Sequence, residues 1–323
     1  MRMPRIYDCQ GRSLPNSVEL GQAGDPGQLR AELAALRAAG APLAAREGRR
    51  VLALHSPGGD HERTDPGGPG LHGFAATRWL AHTPLLAGVL RSLPATLRSV
   101  RLLALAPGAV FTKLQVAKNG PPWGLCRLHL PLVSSPGSQV VFADGNSKWQ
   151  PGSLWFVASW RQHALVNGTD EELVHAVIDL HHTASLANLF PSDLQFSLLG
   201  PAALERSPVA PLGPDELRRF SCRFPLPETF INWEQPGHFL PRSAMRHVVP
   251  AEIVPYRGEL RLMVAGHPFC TLEHLGHGEF RMCGWSEERT LQVREGTGGP
   301  ATVVAQAREG ANSYTTTLPA AVA

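Results

Sequence analysis

Apolar positions along the first half of the chain change period more than once, and each change marks an element. Residues 28–48 (QLRAELAALRAAGAPLAAREG) carry Leu and Ala at helical spacing, which predicts a surface helix interrupted near Gly40 and Pro42. From Ser56 to Gly73 the chain is dense in Gly, Pro, Asp and His, a composition that predicts an irregular loop or lid. Thr83-Pro84 followed by LLAGVLRSL joins an N-cap residue, a proline at the first helical position and a 3.6-residue apolar stripe. That predicts a helix ending before Pro94.

From Ser99 the pattern shortens to strands separated by turns: SVRLLALA, AVFTKLQVA, LCRLHLPLV, SQVVFAD, SLWFVAS, HALVN and LVHAVIDL. Short strands at near-regular spacing predict an antiparallel sandwich or jelly roll. After Leu180 loop and helix return, and the Pro-rich stretch from Pro201 to Pro214 marks a boundary before the short helix PDELRRF. The later segments GELRLMVAG, PFCTLEHL, GEFRMCGW, RTLQVRE, ATVVAQARE and SYTTTL alternate apolar and polar residues between Gly-containing turns, as an antiparallel meander does. The expected organisation is a mainly β protein with N-terminal helices: a jelly-roll domain over 1–200 and a smaller β-rich domain over 201–323.

Composition narrows the partners. At 323 residues and 43% hydrophobic content the chain can bury a substantial core. The net charge of +3 is small and its Lys and Arg are scattered, so neither nucleic acid nor an anionic membrane is expected as a partner. Five cysteines (Cys9, Cys126, Cys222, Cys270, Cys283) lie far apart without C-x-x-C spacing, which fits reduced thiols better than disulfides or zinc. The N-terminal stretch lacks the apolar run of a signal peptide, and no later segment has about 18 unbroken apolar residues. A cytoplasmic location is expected.

Four blocks between Leu103 and Asp179 resemble the aspartyl/asparaginyl β-hydroxylases and the related cis-proline hydroxylases. They are Ala106-Pro107-Gly108-Ala109, Arg127-Leu128-His129-Leu130, Gln150-Pro151-Gly152-Ser153-Leu154-Trp155, and the run HALVNGTDEELVHAVIDL starting at His163. The resemblance implies a double-stranded β-helix, cupin-like, and in active members iron(II) and 2-oxoglutarate. Here the sequence departs from the family. Counting from Pro107, the positions of the first metal-binding histidine and its carboxylate partner fall on Leu114 and Val116, and the stretch Phe111 to Asn119 (FTKLQVAKN) has no His, Asp, Glu or Cys. Aliphatic side chains offer iron no lone pair. The distal histidine is retained as His163, but Leu173 takes the place of the arginine that holds the co-substrate ten positions later.

Neither iron nor 2-oxoglutarate is therefore expected to bind in the family's manner. The resemblance places Arg127 and His129 where co-substrate is positioned, so both are candidates for binding another carboxylate, with His163, Trp155 and Asn167 completing the ligand-binding set. The structural alternatives are that Arg127 pairs with a neighbouring acid, that His129 caps a buried backbone group and that His163 is a hydrogen-bonded core imidazole. The one H-x-E triplet, His277-Gly278-Glu279, reads as a β-turn.

Two functions follow. The first is a non-catalytic peptide-binding protein that presents a precursor to partner enzymes in peptide modification, of the sort met in natural-product biosynthesis. The alternative is an active peptidyl or amino-acid hydroxylase with displaced metal ligands, or a metal-independent enzyme using His163, Arg127 and His129. A homodimeric scaffold is a third possibility.

Overall fold

The computed structural model describes residues 14–46, 49–113, 118–200, 202–243, 247–297 and 299–322. It divides into two compact units. The first takes the chain up to Gly67, Phe74–Gly120 and Leu125–Gly200; the second takes Gly68–Gly73, Pro121–Gly124 and Pro201 onwards.

The strands of the first unit are β1 (Ser17–Gln22), β2 (Ala44–Arg46), β3 (Arg49–Pro57), β4 (Phe74–Ala76), β5 (Leu97–Leu105), β6 (Val110–Lys113), β7 (Leu125–Val133), β8 (Ser138–Phe142), β9 (Gly145–Ser147), β10 (Ser153–Val157), β11 (His163–Asn167) and β12 (Leu173–His181). They form two antiparallel sheets, a larger one in the order β1, β10, β7, β12, β5, β3, β2 with β4 on β3, and a smaller one in the order β6, β11, β8, β9. Because side chains alternate along a strand, register decides which residues share the inner face. Asp179 is opposite Arg127, and Val177 is opposite both His129 and Arg101. Trp155 is opposite His129 from the other side. Leu105, Val157 and Leu173 from the larger sheet meet Val140, Phe142 and Leu165 from the smaller one around Trp149. This is the expected jelly roll.

The helices of this unit include α1 (Pro26–Ala38), with Leu29, Leu33 and Leu36 buried, and α2 (Pro84–Ser92). The helix predicted over 28–48 ends at Ala38, at the interruption expected near Gly40. Gly40 adopts a φ of 74°, and the amides of Ala39, Gly40 and Ala41 turn back onto the carbonyls of Ala35, Arg37 and Leu36. A left-handed glycine closes the helix, and 44–46 continue as strand. Thr83 precedes α2 as expected but its side chain does not cap it. The Glu32 carboxylate of α1 instead accepts the amides of Leu85 and Leu86, placing negative charge at the positive end of the helix.

The second unit is a single antiparallel sheet of β13 (Cys222–Pro227), β14 (Val248–Tyr256), β15 (Glu259–Val264), β16 (His267–Gly276), β17 (Glu279–Met282), β18 (Arg289–Gly296), β19 (Gly299–Glu309), β20 (Asn312–Pro319) and β21 (Ala321–Val322). Each pairs with the next from β13 to β20, while β21 pairs with β13. Since β20 and β21 are separated by one residue, the last chain segment joins both edges and the meander curls into a nearly closed barrel. Three hairpins are made at Arg257-Gly258, Ala265-Gly266 and His277-Gly278, where both central residues have positive φ. These twisted two-residue turns match the strand twist, and the H-x-E triplet lies in one of them.

Candidate functional site

The inner face of the jelly roll is graded from charge to aromatic to aliphatic. At the charged end Asp179, fully buried, accepts two bonds from Arg127 (Nε to Oδ1 at 2.6 Å, Nη2 to Oδ2 at 2.9 Å). Arg101 Nη2, Ser99 Oγ and Asn119 Nδ2 donate to the same carboxylate at 2.9, 3.0 and 2.9 Å. Burial alone would raise the Asp179 carboxyl, but the Arg127 and Arg101 charges outweigh it and hold the group below its ordinary 3.8. Burial lowers the Arg101 guanidinium to about 10, well above neutrality, so it remains a cation.

Next to this hub are four rings. Trp149 stacks on Trp155 at 5.5 Å and 17°, and on His175 at 5.7 Å and 29°. His129 meets Trp149 edge-on at 5.3 Å, and its Nδ1 is 3.5 Å from His175 Nδ1. Burial, then His175 and Arg127, push the His129 imidazole well below its ordinary 6.5, and burial takes His175 to about 3. Both rings are neutral at physiological pH. Among the described residues Trp149 Nε1 and His175 Nε2 have no hydrogen-bond partner.

The residues singled out in the sequence are distributed over this face unevenly. His129 and Trp155 are in the ring cluster, and Trp155 Nε1 donates to Ser153 Oγ at 2.7 Å. Arg127 pairs with Asp179, the structural alternative that the sequence left open. His129 contacts two rings rather than capping backbone. His163 is half-buried on β11, its ring against Phe142 at 5.6 Å and its Nδ1 2.8 Å from the Arg161 carbonyl oxygen. Asn167 is fully buried. Its Nδ2 donates to the carbonyls of Leu105, Ala106 and Glu171 at 3.1, 2.9 and 2.8 Å, and its Oδ1 accepts from Thr169 Oγ1 at 2.7 Å. It clamps the β5 end to the β11–β12 turn. Leu173 is buried among Leu105, Leu165 and Trp149. Leu114 and Val116 lie outside the described residues.

Trp149, His175, Arg101 and Asp179 were missed as site residues. Asp179 and His175 belong to a block already noticed, but only strand register reveals their partners. Among the described residues no group of three His, Cys, Asp or Glu is arranged to hold a metal ion.

Residues 71–183 match the family model for aspartyl/asparaginyl β-hydroxylase. The similarity to that family is confined to this segment. The hydroxylase-like module contains the whole charged hub and ring cluster. Several solved structures are similar to the chain. One is the viral collagen prolyl hydroxylase of Paramecium Bursaria Chlorella virus-1 in its 2-oxoglutarate complex, 12% identical, covering 53% of this chain and 96% of its own, with a TM-score of 0.33. A Pseudomonas putida prolyl-4-hydroxylase is 17% identical, covering 51% and 92%, with a TM-score of 0.32. A cupin 2 conserved barrel protein of Salinispora arenicola is 13% identical, covering 46% and 88%, with a TM-score of 0.26. No curated protein sequence matches the chain. No helix among the described residues is long and apolar enough to cross a membrane.

Proposed function

We propose that the chain is a non-catalytic binding protein on a 2-oxoglutarate dioxygenase-like fold. Its ligand is a peptide, and its role is to present that peptide to partner modifying enzymes. The observation that carries this reading is Leu173. Where the family implies an arginine for co-substrate, an aliphatic side chain is 1% exposed and packed into the core between the sheets. A carboxylate brought against it would lose its hydration without gaining a charge partner, at a cost of about 3–5 kcal/mol.

The guanidiniums of Arg127 and Arg101 do not replace the lost arginine, because they already share Asp179. The donor set for iron is deficient by chemistry as well, since Leu114 and Val116 carry no donor atom and His163 is one imidazole. The residues present therefore do not fit iron(II) and 2-oxoglutarate in the family's arrangement, and no oxidative step is derived. What persists is the two-sheet scaffold with a buried ring cluster on its inner face.

The test is elemental analysis of protein purified in iron(II) without chelator, paired with an assay for 2-oxoglutarate conversion to succinate. Metal-free, inactive protein that rises in melting temperature with its cognate peptide supports the proposal; at a peptide concentration about 100 times Kd the gain is about 2.7 kcal/mol. Stoichiometric iron with succinate formation overturns it in favour of a hydroxylase with displaced ligands.

A further inference from the structure

Successive side chains of a strand face opposite sides, so Leu154 of β10 points away from its neighbour Trp155 and from the ring cluster. On that side a groove of about 530 Å³ opens between β1 and α2, walled by Leu20, Leu85, Val89, Leu154 and Leu189. Its two polar side chains are committed locally. Gln22 Nε2 donates to the Gly24 carbonyl oxygen at 2.6 Å, and Ser92 Oγ to that of Val89 at 2.8 Å. Along one rim runs β1, which among the described residues pairs with β10 alone and is an edge of its sheet. An antiparallel edge leaves the amides and carbonyls of alternate residues pointing outward without a ladder partner.

Gly88 makes room on the opposite wall. It lies in the interior of α2, where glycine weakens a helix, and its φ is not positive. Outside its own helix backbone, a Cβ there would meet nothing nearer than Arg91 Nη2 at 3.9 Å. Neither backbone geometry nor packing against the rest of the chain requires this glycine, whereas an object lying in the groove would. Arg91 is exposed beside it, and its guanidinium makes no ion pair among the described residues. The groove lining contains no carboxylate, and Glu19, opposite Trp155, faces the other side of the sheet. The rim therefore carries an uncompensated positive charge.

The geometry points to a docking site for an extended peptide that adds as a strand to the open edge of β1, lays an apolar side chain into the groove over Gly88 and offers an acidic residue to Arg91. The free edge selects an extended backbone, the apolar walls select the side chain, and the unpaired cation selects the charge. A second copy of β1 does not fit the same seat. Its Val18 is buried and its Leu20 already walls a groove, so the residues left to enter are Ser17, Glu19, Gly21 and Gln22. The occupant is a separate peptide with an apolar residue of its own. This inference rests on the peptide-binding function proposed above and names where the peptide docks and what it must carry.

The test titrates the full chain against a fluorescein-labelled probe, Gly-Thr-Val-Thr-Leu-Thr-Asp amide, followed by anisotropy. Saturable binding is expected, weakened roughly tenfold or more when Val and Leu of the probe become Ser. N-methylation of one set of alternate probe amides is expected to abolish binding while the other set is tolerated, because only one edge of an added strand faces β1. Hydrogen exchange is expected to slow over Ser17–Gln22 when the probe is bound. Gly88→Leu, a better helix former that fills the groove, is expected to weaken the probe roughly tenfold with an unchanged or higher melting temperature. Arg91→Glu is expected to weaken it about fivefold, less so at high salt. No saturable binding, unchanged binding to either variant, equal effects of the two methylated probes, or no slowing at β1 overturns the inference. Slowing at β1 that grows with protein concentration in the absence of probe overturns it in favour of a second copy. If the probe fails while another peptide raises the melting temperature of metal-free protein, the peptide-binding function stands and this site is lost. Iron with succinate formation would instead remove that function and leave a positive groove result standing.

Discussion

Asp179 accepts five hydrogen bonds from four side chains, two of them guanidiniums, inside a sheet sandwich. Removing it leaves Arg127 and Arg101 buried without their counter-charge. Asp179→Ala is therefore expected to cost about 3–5 kcal/mol, read as a lower urea midpoint at unchanged m-value. Asn167→Ala frees three backbone carbonyls from their shared donor and is expected to cost about 1–3 kcal/mol by the same measurement, without touching a ligand surface. Both residues stood in a sequence block that resembles the hydroxylases, yet their roles were not legible there. Arg127 and Asp179 are far apart in sequence and meet only because β7 and β12 pair in one register. A short motif shows residue types, not cross-strand partners.

At the scale of elements, strands with uninterrupted apolar runs were readable: β7, β10, β11 and β12 fall where the alternation and turn residues put them. Those missed have a local reason. β13 and β14 carry Pro225, Pro250 and Pro255, residues that argue against a strand, and Pro225 pairs directly with Pro250. β1 is a six-residue edge strand with a bulge between Glu19 and Gly21, too short and irregular to show a period. The hairpin turns of the second unit were legible through their glycines, but the non-glycine partner in the left-handed region was not. Ala265 holds a φ of 49° beside Gly266. Ala265→Gly relieves that conformation and is expected to stabilise the second unit by up to about 1 kcal/mol, seen as a rise in its melting temperature. Gly278→Ala is expected to do the reverse and more strongly, because a Cβ there meets the Val293 carbonyl oxygen at 2.6 Å as well as a φ of 70°.

For the whole molecule, the composition predicted no acid sensitivity, since fourteen histidines give no hint of which are buried. The structure buries His129 and His175 together in a place that keeps them neutral. Each has a folded pKa below its ordinary 6.5, so between that value and about 3, the figure for His175, the unfolded chain binds protons that the folded chain refuses. Stability contributed by the pair is complete above the unfolded value and is lost as pH falls. From pH 7 to pH 5 His175 is expected to remove about 2 kcal/mol, and His129 adds a loss of the same sign. Asp179 adds loss of the same sign only below its ordinary 3.8, because its carboxylate is the form the fold prefers. The two contributions thus separate along the pH axis. Urea midpoints measured from pH 7 to pH 4 should fall steadily for the natural chain, and the double variant His129→Leu/His175→Leu should flatten that slope above pH 4.5. An equal slope in both proteins would mean that the pair is protonated, or already hydrated, in the folded state, against the burial that holds both rings neutral.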